Sequence, residues 1–233
     1  MRCKNNSKNS EKKHPSVEFP NPKPIKAIIF DIGGVLQIGG RARISKKDVH
    51  TSGVHQMIAK KLKISLDQYF DAIDSHYVKS IEGQITKQTL LSVLSLNLNY
   101  PKLKLEKLYT KAYKKKFNKN IGLYNIAKKL KKQGYKIAIL SDQWHLSKEA
   151  LMPKKDTKLF DVVVTSCDIG MRKPNISIYD LTLKKLKVEP EETIFIDNQA
   201  WNIFPAHNLG MNTILYHDNK KTKEQLKEFG IKV

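Results

Sequence analysis

A short apolar run, Ala27 to Phe30, ends on Asp31 and is followed almost at once by Gly33 and Gly34. The run has no polar face, which fits a strand covered on both sides in a parallel sheet. The paired glycines let the chain turn sharply and bring backbone N–H groups close to a ligand. In an open α/β sheet, ligands bind beyond the carboxyl ends of the strands, where Asp31 would stand. Asp31 is therefore the candidate reactive carboxylate. The plainer alternative is a residue that merely begins a turn in an ordinary α/β domain.

The rest of the chain repeats this theme after an interruption. Residues 1–24 are rich in Lys, Asn and Ser, end in Pro20, Pro22 and Pro24, and read as a disordered basic tail. From about Lys46 to Phe117 the pattern offers helical periodicity and no convincing strand. Val54, Ile58 and Leu62 share one face, as do Leu66, Phe70, Ile73 and Tyr77, and Thr86 is placed to cap a helix carrying Leu90, Leu91 and Leu94. Pro101 then precedes a helix with Leu105, Leu108, Ala112 and Tyr113. Strands and helices alternate after that, with apolar runs at Tyr135–Leu140, Phe160–Thr165, Thr193–Ile196 and Thr213–Tyr216. Such alternation implies βαβ units. The expected architecture is α/β, a doubly wound parallel sheet core at 25–36 and 119–233, with a small all-helical cap inserted at 37–118.

Composition narrows the function classes. The formal net charge of +21 invites a nucleic-acid reading. The excess is nearly all lysine spread over helix faces, as at Lys128, Lys129, Lys131 and Lys132, with no finger, recognition-helix or stacking-aromatic signature. Nucleic acid is not expected as a partner; attraction of small anions is. No apolar run approaches the roughly 18 residues of a membrane span, and the first residues lack the apolar stretch of a secretory signal. Cys3 and Cys167 are the only cysteines, which excludes a disulfide framework and points to a reducing cytoplasm. Oligomeric state is not readable.

Four strands end in polar groups: Asp31, Ser141 with Asp142, Lys173 just beyond a strand, and Asp197. Right-handed crossovers bring such ends to one sheet edge. The set is chemically coherent. A carboxylate can attack phosphorus, a hydroxyl and a lysine can hold phosphate oxygens, and two facing carboxylates suit Mg²⁺.

In order, the chain carries FDIGGVL at 30–36, ILSDQ at 139–143, GMRKPNISIYD at 170–180 and IFIDNQAWNIFPAHNLGM at 194–211. With these motifs it resembles the haloacid dehalogenase superfamily, in the helical-cap branch that contains glucose-1-phosphate phosphatase-like members. The resemblance implies a Mg²⁺-dependent hydrolase of a small phosphorylated metabolite, working through an aspartyl-phosphate. By position, Asp31 resembles the nucleophile and Lys173 the lysine that neutralises nucleophile and phosphate. Ser141 resembles the phosphate-binding hydroxyl, with Asp142, Gly33 and Gly34 beside it in the phosphate cradle. Asp31, the Gly33 carbonyl and Asp197 would hold Mg²⁺.

Three departures matter. Most phosphatases of the family have a second Asp, the general acid, where this chain has Gly33; such help contributes about 10²–10⁴-fold. Glucose-1-phosphate phosphatase-like members also carry Gly there. Asn198 follows Asp197 where many members have a second acid, and implies weaker metal affinity. Asp142 replaces the commoner Asn; its charge would repel phosphate, so it is expected to point away or to accept from a backbone N–H. Two alternatives stay open: a metal-independent 2-haloacid dehalogenase, which Gly33 suits, and a weakened member that binds a phosphorylated ligand without turnover. Arg41 and Arg43 are candidates for contact with an anionic substrate or for solvated surface charge. Trp144 and His145 are placed to line the cleft, and Trp201 is expected to pack. The cap's His50, His55, Asp71, Asp74 and His76 have the spacing of a solvated helix face rather than of a metal site.

Overall fold

The computed structural model describes residues 23–39 and 53–233. Arg41, Arg43 and His50 lie outside them, as do Cys3 and nearly all of the basic tail. The chain opens with β1 (Ala27–Phe30) and β2 (Gln37–Gly39). Four helices follow: α1 (Val54–Leu62), α2 (Leu66–Ile81), α3 (Lys87–Asn97) and α4 (Lys102–Lys116). Next come β3 (Phe117–Lys119), α5 (Ile121–Lys132), β4 (Lys136–Ser141), α6 (His145–Leu151) and α7 (Lys154–Thr157). Then β5 (Val162–Thr165), α8 (Ser166–Ile169), α9 (Ile176–Leu186), β6 (Thr193–Asp197), α10 (Ala200–Asn208), β7 (Asn212–Leu215) and α11 (Asn219–Glu228) complete it.

The main sheet has five strands in the order β5-β4-β1-β6-β7, all parallel, with β1 in the middle. Side chains alternate across a strand, and both faces of this sheet are dry. Ile28, Phe30, Ile137, Ile139, Ile194 and Ile196 face one core, which takes in Leu123 and Ile126 of α5 and Leu226 of α11. Ala27, Ile29, Ala138, Leu140 and Phe195 face the other, filled by Ile178, Tyr179 and Leu183 of α9 and Ala206 of α10. This two-sided cover is why the strands read as continuous apolar runs.

Two of the helices between β2 and β3, α2 and α3, start on a capping side chain. Ser65 caps α2 in a reciprocal box with Gln68, and Thr86 accepts from the Thr89 N–H at the start of α3. The ends of this segment are not helical. β2 and β3 pair antiparallel, Gln37 opposite Lys119, as a ribbon where the chain leaves and re-enters the sheet layer. Three residues per strand are too few to print a period-two pattern, so nothing in the sequence marks these strands.

Asn120 fastens the ribbon to the core. Its buried Nδ2 donates to the Val35 carbonyl at 2.9 Å and the Tyr216 hydroxyl at 2.9 Å, while its Oδ1 caps α5 through the Leu123 N–H. Replacing Asn120 with Ala removes the cap and strands those partners, so a loss of about 2–3 kcal/mol is expected in urea unfolding. A loss under about 0.5 kcal/mol would show the junction is held otherwise.

Candidate active site

Register places the reactive groups. Phe30 pairs with Ile139 of β4 and with Ile196 of β6, so Asp31 and Asp197, one residue on, and Ser141, two residues on, emerge at one edge of the sheet. Lys173 arrives from the loop between α8 and α9. Its Nζ lies 3.0 Å from Asp31 Oδ1, 2.5 Å from Asp197 Oδ2 and 3.4 Å from the Leu140 carbonyl. The lysine is 2% exposed and Asp197 is fully buried. A buried ammonium without such partners would be untenable.

The electrostatics follow from that burial. Desolvation pushes the Asp31 carboxyl up to about 6, against the pull of Lys173, with Asp197 adding to the rise and the Ser141 hydroxyl opposing it. Burial alone would lower Lys173, but Asp31 and Asp197 outweigh it and its pKa is raised. Lys173 therefore stays charged, while Asp31 keeps its proton to a higher pH than an ordinary carboxyl.

Around this centre, Ser141 accepts from Gln143 Nε2 at 3.0 Å, and Gln143 is fixed in turn by the Ser147 hydroxyl at 2.7 Å and, through its N–H, by Ser166 Oγ at 3.0 Å. Gln143, Ser147 and Ser166 were not singled out in the sequence; small polar residues just past strand ends were the available signal. Asp142 turns to the lysine loop: Oδ1 accepts from the Lys173 N–H at 3.1 Å and Oδ2 lies 3.7 Å from Arg172 Nε. Burial raises its pKa. Asp142 thus orders the loop that delivers Lys173, and its side chain is not free for a phosphate.

The glycines divide their work. Gly34 takes a left-handed conformation, φ +84°, and its N–H is spent on the Gln37 carbonyl at 2.8 Å, so it does not point at a ligand. Its missing Cβ matters more, because that atom would lie 2.5 Å from Asn198 Nδ2. Asn198 is thereby seated against the Asp31–Gly34 turn. Its Oδ1 is buried without a hydrogen-bond partner, a state that costs about 1–3 kcal/mol. Asn202 donates to Asp197 Oδ2 at 3.1 Å, and its own Oδ1 is likewise orphaned.

These residues fit Mg²⁺. No group of three or more His, Cys, Asp or Glu with metal-holding geometry occurs among the described residues. Mg²⁺ makes do with one or two carboxylates and neutral oxygens, and Asp31, Asp197 and the orphaned Asn198 oxygen offer that set.

Other singled-out residues have different fates. Trp144 is buried and donates to the Tyr113 hydroxyl at 2.8 Å; the ring of Tyr77 lies 4.9 Å away. His145 Nε2 is tied to the Ile85 carbonyl at 2.9 Å. Trp201, expected to pack, is 63% exposed at the rim of a cavity of about 480 Å³ beside Arg172 and Lys173. His55 of α1 bonds to Tyr69 and has its pKa lowered by burial.

A parallel sheet with a lysine–carboxylate centre at its carboxyl edge is the layout of an α/β enzyme. The chain belongs to the haloacid dehalogenase-like hydrolase family, whose sequence profile matches residues 50–216. Bifunctional epoxide hydrolase 2 of Sus scrofa is 28% identical over 88% of this chain; the chain spans 38% of that relative's length. A glyceraldehyde 3-phosphate phosphatase of Methanothermobacter thermautotrophicus is 32% identical over 41% of this chain and 43% of its own. An (S)-2-haloacid dehalogenase 4A of Burkholderia cepacia is 33% identical over 37% and 38%. Among solved structures, a haloacid dehalogenase family enzyme from Bacteroides thetaiotaomicron shares the fold, with TM-score 0.68 and 19% identity over 88% of this chain and 99% of its own. The same enzyme was solved in complex with magnesium and inorganic phosphate, at TM-score 0.64 and 20% identity over 82% and 93%.

The raised Asp31 pKa has a measurable consequence for stability. The folded state holds this proton more tightly than the unfolded state, so Asp31's contribution falls as pH rises from about 4 to 6. Asp31→Asn has no proton to lose. In EDTA, the Tm of the variant relative to wild type should therefore climb between pH 4 and 7. A gap that is constant with pH would show that Asp31 titrates normally.

Proposed function

We propose that this hydrolase is a Mg²⁺-dependent phosphomonoesterase of small phosphorylated metabolites. The observation that carries the reading is Lys173, buried between Asp31 and Asp197. Asp31 Oδ attacks phosphorus, the P–O bond to the leaving group breaks, and an aspartyl-phosphate forms, to be opened by water. Lys173 keeps Asp31 oriented and offsets charge on the phosphate. The Ser141 hydroxyl holds a phosphate oxygen. Asp31, the Gly33 carbonyl and the Asp197–Asn198 pair would hold Mg²⁺, which supplies further neutralisation of the phosphate when bound.

Gly33 offers no proton to the leaving oxygen, so that proton comes from solvent and good leaving groups are favoured. We read the segment 37–118 as a cap that sets selectivity over the core 25–36 and 119–233, with residues 1–24 as a basic tail. Cytoplasmic location is part of this reading; the Cys167 thiol is free and pushed up to about 11 by burial. Among the described residues no helix is long and apolar enough to cross a membrane. The phosphatase relative supports the phosphoryl assignment.

Gly33 and the Burkholderia relative favour a second reading, metal-independent dehalogenation by the same Asp31. An assay with an aryl phosphate separates the two, because that leaving group needs little protonation. Turnover should require Mg²⁺, vanish in EDTA and drop at least 10³-fold in Asp31→Asn. Hydrolysis of 2-haloacids that persists in EDTA, without aryl phosphatase activity, would replace the phosphatase reading with the second one.

A further inference from the structure

The outer face of α4 takes no part in the site and carries charge that the fold does not balance. Leu105, Leu108, Tyr109, Ala112 and Tyr113 turn inward and are buried. Leu103, Lys107, Lys111 and Lys114, spaced by four, four and three, share the opposite face, with Lys104 and Lys115 at its margin. From Lys104 to Lys115 the stripe runs about 16 Å along the helix. The one acid of α4, Glu106, is paired with Lys87 at 2.6 Å. Among the described residues no carboxylate pairs with Lys104, Lys107, Lys111, Lys114 or Lys115.

An apolar feature heads this stripe. Leu103 is 74% exposed, and Leu96, near the end of α3 across the same turn, is 81% exposed. One exposed leucine is ordinary; two at one helix–helix turn, beside unbalanced positive charge, ask for a partner with two properties. It must bring negative charge to the lysines and take up leucine. A second copy of the chain would set like charges face to face. A nucleic-acid strand would meet the lysines, but no residue of this face is aromatic and none could stack on a base. A bilayer with anionic headgroups offers both properties, charge at its surface and hydrocarbon beneath. The cytoplasmic location proposed above would present the face to a leaflet of that charge.

We infer that the α3–α4 turn and the outer face of α4 form a peripheral docking surface for an anionic lipid bilayer. The two leucines insert at headgroup level and the lysines lie over the charged surface, with no segment crossing the membrane. Nothing in this depends on the chemistry at Asp31. Each lysine close to such a surface strengthens binding about fivefold, and added salt screens the attraction.

Co-sedimentation of the full chain with phosphatidylcholine–phosphatidylserine vesicles, and with phosphatidylcholine vesicles alone, tests the assignment. Wild type should bind the anionic vesicles and leave the neutral ones. The triple variant Lys107→Gln, Lys111→Gln, Lys114→Gln should bind about 100-fold more weakly. Lys128→Gln, Lys129→Gln, Lys132→Gln removes the same charge from α5 and should cost no more than about fivefold. Leu96→Ser with Leu103→Ser should weaken binding at least about fivefold and leave its salt dependence unchanged. No preference for anionic over neutral vesicles, or equal losses in the α4 and α5 variants, overturns the inference. Tighter binding to a single-stranded RNA than to the anionic vesicles, unaffected by the leucine changes, replaces the bilayer with nucleic acid.

Discussion

The site depends on one ammonium group kept out of water. Lys173 is 2% exposed, and it survives charged because Asp31 and Asp197 meet it from two different strands. Remove either carboxylate and the lysine faces the full desolvation cost with a single counter-charge. The pairing thus locks β1, β6 and the α8–α9 loop into one arrangement. It also sets the raised Asp31 carboxyl: burial disfavours its charged form, and against the pull of Lys173 the Asp197 carboxylate adds to the rise.

That arrangement is available only because of how the sheet is built. Phe30, Ile139 and Ile196 are aligned across three parallel strands, so Asp31, Ser141 and Asp197, one or two residues further on, reach the same edge of the sheet. A slip of one residue in β6 would send Asp197 to the opposite face and Ile196 into the charged centre. The two dry cores resist that slip, since Ile194 and Ile196 belong to one and Phe195 to the other. Packing thereby specifies the chemistry without contributing an atom to it.

Much of this was legible in the chain. The apolar runs of β1, β4 and β6 announce a doubly covered parallel sheet, and the polar residues at their ends announce its working edge. A helix start was legible where a capping side chain marks it, as at Thr86. What stayed hidden is what strand pairing and side-chain direction decide. The β2–β3 ribbon is too short to leave a pattern. Trp201 reads as core by type, yet it sits 63% exposed because α10 turns Asn202 and Ala206 inward instead. Gly34 looked like a donor to phosphate, but the return of the chain at Gln37 takes its N–H. Spacing reveals which residues gather; it does not reveal which hydrogen bonds they have already made.

The helical segment is fastened to the site through Trp144, three residues beyond Ser141. Its ring is enclosed by Tyr77 of α2, Tyr109 of α4 and His55 of α1, and its Nε1 donates to Tyr113 of α4. His145 adds bonds to Ser80 and the Ile85 carbonyl. Swinging these helices away as a body would drag the loop after β4, and with it the Gln143 amide that steadies Ser141. Rigid opening at this junction and an ordered Ser141 hydroxyl are therefore in conflict. Exchange of small molecules is more cheaply met away from Trp144, and the polar cavity bordered by Arg172 and Trp201 is such a place.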